Sequence, residues 1–152
     1  VEALQYALEQ GVVSRYVCDF PLVSLKHNAN VICLPHLGAS TVEAQENCAV
    51  MVAEQVRSFL QDGHIINSVN FPSVKMSRSE GHRLAVVNRN VPNMVAQIST
   101  LISHSGFNII DMINKSRNDI AYTLLDLDSE ITPQLIERLC LVDGIVRARA
   151  VF

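Results

Sequence analysis

Arg83-Leu84-Ala85-Val86-Val87-Asn88, running on into Asn90-Val91-Pro92-Asn93-Met94-Val95, settles the architecture of the second half of this chain. The first six residues form a short apolar, β-rich run. Pro92 then opens a helix, because its missing amide proton costs nothing in a first turn. Met94, Val95, Ile98, Leu101 and Ile102 follow at helical spacing, and Gly106 offers the left-handed conformation that ends it. Further on, strands are expected at about 107–116 and 120–128 around a turn at Arg117-Asn118-Asp119, a helix at about 132–141, and a last strand after Asp143-Gly144. Strand, helix, strand, strand, helix, strand is the order of a ferredoxin-like sheet with helices on one face. Its edge strands are open to pairing with a second copy.

Toward the N-terminus, Pro72 to Gly81 interrupts the apolar periodicity with small and charged residues and reads as a linker. Before it come a helix at about 1–10 stopped by Gly11, a strand through Ser14–Cys18, a loop with Asp19-Phe20-Pro21, a strand Val31–Leu34, and a long helix at about 41–61. On that helix Val42, Ala49, Val52, Ala53, Val56, Phe59 and Leu60 form one apolar stripe. Burying Val52, Val56, Phe59 or Leu60 is worth about 1.5–3 kcal/mol each. The stripe is therefore expected to pack against the C-terminal domain or a second copy of the chain.

Hydrophobic residues at 49%, charged residues at 18% and a formal charge of -3 describe an ordinary globular chain, expected to be cytoplasmic. Basic residues are scattered, which argues against nucleic acid, and Arg147 and Arg149 alternate with Val146, Ala148 and Ala150 as on one exposed strand face. No apolar run approaches the ~20 residues of a membrane span. Cys18, Cys33, Cys48 and Cys140 lack metal-ligand spacing, so they read as reduced core residues with no metal expected.

Function points to Pro35-His36-Leu37-Gly38-Ala39-Ser40-Thr41, where a histidine sits between an apolar strand and a helix that Ser40 and Glu43 are expected to cap reciprocally. Such carboxyl ends of strands are where α/β proteins place chemistry. His36 is either a proton carrier or a hydrogen-bonded histidine of a connecting loop.

That segment, continued by Glu43-Ala44-Gln45-Glu46-Asn47, resembles the catalytic-histidine segment of the D-2-hydroxyacid dehydrogenases. Asn67-Ser68-Val69-Asn70-Phe71-Pro72 resembles the stretch that leads, in the phosphoglycerate-oxidising branch of that family, to a C-terminal ACT regulatory domain. The resemblance implies an α/β chain in two parts: residues 1–71 as the remnant of a Rossmann-type catalytic body with helix 41–61 returning to the substrate domain, and, after the 72–81 linker, residues 82–152 as a βαββαβ ACT domain. His36 would be the general base for oxidation of a hydroxy acid by NAD, and Asp19 would lie near the nicotinamide amide. A glutamate that usually orients the histidine has no counterpart, since Pro21 to Asn30 contains no carboxylate.

Glycines at 11, 38, 63, 81, 106 and 144 leave no G-x-G-x-x-G turn for the pyrophosphate, so the chain reads as a C-terminal portion of a longer enzyme, inactive alone. In the ACT domain the resemblance implies that Asn90 and Asn108 contact a small amino acid, L-serine in the sensitive enzymes, between neighbouring copies. Both are also ordinary residues of turns and helix openings. Two positions depart from the pattern: Asn93 stands where glycine is common, and Asn88 where serine-sensitive forms have a histidine. Asn88 keeps hydrogen-bonding capacity toward an effector without supplying a cation. The alternatives are a stand-alone ACT-type module for amino-acid binding or oligomerisation, and another 2-hydroxyacid dehydrogenase with the same tail.

Overall fold

Continuous apolar runs such as Leu84-Ala85-Val86-Val87 are stable in a strand only when both faces of the sheet are covered. The computed structural model, which describes residues 1–151, shows how each face is covered. Four strands, β3 (His82–Arg89), β4 (Ile109–Arg117), β5 (Ile120–Leu127) and β6 (Ile145–Val151), form an antiparallel sheet in the order β4-β5-β3-β6. With helices α3 (Met94–His104) and α4 (Pro133–Cys140) this is the ferredoxin-like βαββαβ arrangement that the pattern implies.

On one face Leu84, Val86, Leu125, Leu127 and Ala148 pack against Ile98 and Ile102 of α3 and Leu135 and Leu139 of α4. On the other, Ala85, Tyr122, Leu124 and Val151 are covered by Ile65, Val74 and Met76. The stretch read as linker thus contributes buried Pro72, Val74 and Met76, and Val74 pairs with Ile65 through reciprocal backbone hydrogen bonds of 2.9 and 3.0 Å.

Residues Val1–Ala49 form a separate compact unit from Val50–Phe152. The first contains α1 (Glu2–Glu9), ended by Gly11 at φ 68°, and a parallel pair β1 (Tyr16–Cys18) and β2 (Val31–Cys33). A long helix, α2 (Val42–Asp62), follows. Its first turn is held by the Thr41 hydroxyl, which accepts from the Ala44 amide at 3.1 Å, so the cap expected at Ser40 falls one residue later. Helix α3 likewise begins at Met94 rather than at Pro92, which stands in the turn before it.

Three expectations about burial change. Cys33, Cys48 and Cys140 are exposed and Cys18 half-buried, so none of them fills the core. Arg149 is not on a free face: it lies 4.5 Å over the Phe59 ring and donates to the Phe59 carbonyl. Apart from Phe59, the α2 stripe gains little cover within the chain, with Val52, Val56 and Leu60 each at least half exposed.

Arg83 is 1% exposed, and its guanidinium places all five donors: Nε and Nη2 on the two oxygens of Asp126 (2.7 and 2.8 Å), Nη1 on the carbonyls of Asp62 and Met76 (3.0 Å each), and Nη2 also on Ser77 (2.8 Å). Ser79 adds its amide and hydroxyl to Asp126 Oδ2. Burial works to raise the Asp126 carboxyl, but the Arg83 and Ser79 hydrogen bonds outweigh it and hold the group below the usual carboxylate range.

Because the folded value lies below the unfolded one, this contribution is complete above about pH 4 and is lost as pH falls through the depressed value. Asp126→Ala, which leaves the buried guanidinium uncompensated, is expected to lower stability by about 3–5 kcal/mol at neutral pH. Urea denaturation measures it, and the variant should also lose less stability than the parent between pH 4 and the acid unfolding transition.

Candidate functional site

Parallel strands β1 and β2 end side by side, with Cys18 opposite Cys33. Asp19 follows β1; His36 comes three residues after β2. Their side chains meet, His36 Nδ1 lying 2.6 Å from Asp19 Oδ2, with both about half exposed. Phe20 lies against the imidazole, ring centroids 4.6 Å apart at 57°. A carboxylate at Nδ1 accepts its proton, fixes the ring and leaves Nε2 free to take or give another. Two residues 17 apart in sequence, one expected at the cofactor and the other expected to be catalytic, are thus one hydrogen-bonded pair.

His64 shows the opposite arrangement. Its Nδ1 lies 3.1 Å from the Ser58 hydroxyl and its Nε2 2.9 Å from the Met76 carbonyl, so both ring nitrogens are engaged in joining α2 to the 65–76 segment.

The asparagines divide between two places. Asn88 and Asn90 line a cavity of about 140 Å³ with Asn93, Asn114 and the first residues of α3. Asn88 is 1% exposed; its Nδ2 donates to the Arg89 carbonyl at 2.7 Å, while its Oδ1 has no hydrogen-bond partner among the described residues. A buried acceptor left in this way costs roughly 1–3 kcal/mol and calls for a donor. Asn90 Nδ2 donates to the Asn118 carbonyl at 2.9 Å, tying the β3 end to the β4–β5 turn. Asn108 lies elsewhere in the chain, in a groove with Ser99, Thr100, Ser103 and His104, its amide donating to Asp128 at 3.0 Å.

Asn93 explains its own departure from glycine. It sits at φ 71°, in the left-handed region that asparagine tolerates best after glycine. Sequence reading missed Asn114, whose position on a strand gave no signal of the cavity, and the Asp19–His36 contact, which only the parallel pairing reveals.

No family model matches the chain. Curated relatives do. A D-3-phosphoglycerate dehydrogenase of Haemophilus influenzae is 30% identical across 100% of this chain and 40% of its own length. The chain is homologous to part of the D-3-phosphoglycerate dehydrogenases. The Escherichia coli K12 enzyme is 28% identical over 81% of this chain and 30% of its length, and D-3-phosphoglycerate dehydrogenase 2 of Saccharomyces cerevisiae 33% identical over 71% and 23%. The chain therefore spans two fifths or less of these relatives. Among solved structures, the ACT domain from the GTP pyrophosphokinase of Chlorobium tepidum aligns at a TM-score of 0.42 and 20% identity, covering 46% of this chain and 95% of that one. Among the described residues no helix is long and apolar enough to cross a membrane.

The strain at Asn93 is testable by substitution. Asn93→Gly should leave stability within about 1 kcal/mol, whereas Asn93→Val should lower it by about 1–2 kcal/mol; chemical denaturation of the two variants separates them.

Proposed function

We propose that the chain works as part of a D-3-phosphoglycerate dehydrogenase that oxidises 3-phosphoglycerate to 3-phosphohydroxypyruvate with NAD in the cytoplasm, a step toward serine. The observation that supports it most is the Asp19–His36 pair at the carboxyl ends of two parallel strands, within a chain homologous to these enzymes along its whole length. His36 is placed to take a substrate hydroxyl proton at Nε2 and to return it in the reverse direction. Asp19 holds the imidazole orientation that a glutamate provides in the resembling enzymes, in addition to the place near the nicotinamide that the resemblance implies for it.

The residues present do not by themselves fit NAD. No two glycines are one residue apart, so a pyrophosphate turn is missing from these 152 residues. The chain alone is accordingly inactive, and the reaction belongs to the longer enzyme.

The second half is the regulatory part of this reading, an ACT domain that joins copies through its sheet edges and the α2 stripe. It binds a small amino acid such as L-serine between them. Asn88 offers its unpartnered Oδ1 to the ligand's ammonium, Asn90 its remaining oxygen, and Asn108 belongs to the neighbouring copy's share of the site. One observation favours a stand-alone binding or oligomerisation module instead: the ferredoxin-like sheet covers both of its faces from within residues 65–151. An upstream reading frame encoding a dinucleotide turn selects the dehydrogenase.

In the full-length enzyme, His36→Gln is expected to lower kcat by about 10²- to 10⁴-fold with little change in KM for NAD; unchanged turnover overturns the assignment. Asp19→Asn should move the pH profile of kcat. A rise in KM for NAD with the profile unmoved would assign Asp19 to the cofactor alone.

For the regulatory half, isothermal titration of the chain with millimolar L-serine should give heat and a raised Tm, both lost in Asn88→Ala. Neither signal in the parent chain would remove the sensor role.

A further inference from the structure

Cys18 and Cys33 are register partners on parallel β1 and β2. Side chains directly opposite on neighbouring parallel strands project to the same face, with backbones about 4.8 Å apart. That spacing falls within the roughly 4.4–6.8 Å between Cα atoms that a disulfide spans. Both thiols are free. Neither Cys48, on α2, nor Cys140, on α4, stands opposite another cysteine.

We propose that Cys18 and Cys33 are a dithiol redox site, closing to a reversible disulfide that clamps the Asp19–His36 pair. Its two anchors lie one residue before Asp19 and three before His36, so the bond would tie the base of both arms of the pair and close the loop from Asp19 to Ile32. Formation of the bond is independent of any catalytic role for His36. Its consequence for turnover rests on the function proposed above.

Burial, with the adjacent Cys33, pushes the Cys18 thiol up, so the exposed Cys33 reacts first. Its thiolate attacks a hydroperoxide, the O–O bond breaks, an alcohol (or water, from hydrogen peroxide) leaves, and Cys33 becomes a sulfenic acid. Cys18 then attacks that sulfur and water leaves. Two thiols have given two protons and two electrons to one peroxide. Directly opposed β-carbons stand at about the strand spacing, wider than the ~3.8 Å of a relaxed bridge, so closing the bond draws the strands together and leaves it readily reduced.

The test uses the full 152-residue chain carrying Cys48→Ser and Cys140→Ser, both exposed positions, treated with stoichiometric hydrogen peroxide. Non-reducing digestion and mass spectrometry are expected to show the Cys18–Cys33 link in most molecules, reversed by dithiothreitol and absent in Cys33→Ser. The His36 ring resonances in ¹H–¹³C spectra should shift on oxidation and return on reduction. Separately oxidised or freely alkylated thiols would overturn the redox site, and a link that leaves the His36 resonances unmoved would overturn the clamp. His36→Gln kinetics in the full-length enzyme reads the catalytic proposal independently of either result.

Discussion

A buried guanidinium has five donors to satisfy, and in this chain Arg83 satisfies all of them within one sheet face. Two go to Asp126 on β5, and three to main-chain carbonyls of Asp62, Met76 and Ser77. The charge pair by itself is weak evidence for stability, because removing two ions from water offsets most of their attraction. What it contributes is position. Asp62 ends α2 and residues 76–77 lead into β3, so one planar group fixes the end of the long helix and the approach of the chain to the sheet. Arg78 adds hydrogen bonds to Asp62 and the Gln61 carbonyl, placing a second cation at the helix terminus where unpaired carbonyls and the helix dipole favour it.

The consequences spread across that face. With α2 held at its end, Tyr122 can donate to the Gly63 carbonyl at 2.7 Å, and Gly63 itself turns the chain at φ 71° where an added β-carbon would lie 2.8 Å from Leu124 Cδ2. Phe59 then meets Arg149, and Ile65 reaches Val74 over Ala85 and Leu124. This explains why β3 and β5 are apolar on successive residues rather than alternate ones. The helices cover one face; residues 65–76 cover the other.

Local chemistry made the second half legible. Helical spacing from Met94 to Ile102, the glycine at 106 and the turn around Asn118 each act within a few residues, and each stands where the pattern puts it. Features that depend on distant partners were not legible. Arg83 reads as the start of a strand until Asp126, 43 residues on, is seen beside it. The cysteines read as core because their neighbours are apolar, yet β1 and β2 form only a two-stranded sheet in this chain and leave Cys33 exposed. The Ser40 cap failed by one residue because Ser40 and Thr41 are chemically equivalent caps and the turn geometry chose between them. His36 was found by its place after a strand, but its partner was not, since the pairing of Asp19 with it follows from strand register.

The two candidate regions differ in how complete they are within one chain. Asp19 and His36 come from adjacent strand ends and need nothing else to meet, so their hydrogen-bonded geometry is intrinsic to this segment. The asparagine cavity is different. It is closed by the first turn of α3, Asn93 bending the chain so that α3 starts beside Asn88, and its one unpaired acceptor has no donor within the described residues. Asn108 immediately precedes β4, an edge strand of the sheet, and lines a groove separate from the cavity of Asn88. A ligand that touched all three asparagines would have to sit where the β3–α3 turn of one copy approaches the β4 start of another. Binding and association would then be linked by mass action, each ligand bound favouring the paired state and each pair completing the site. Such linkage needs only that the ligand bind the paired state more tightly than the single chain, and the unpartnered Asn88 Oδ1 is one group whose satisfaction would supply that difference.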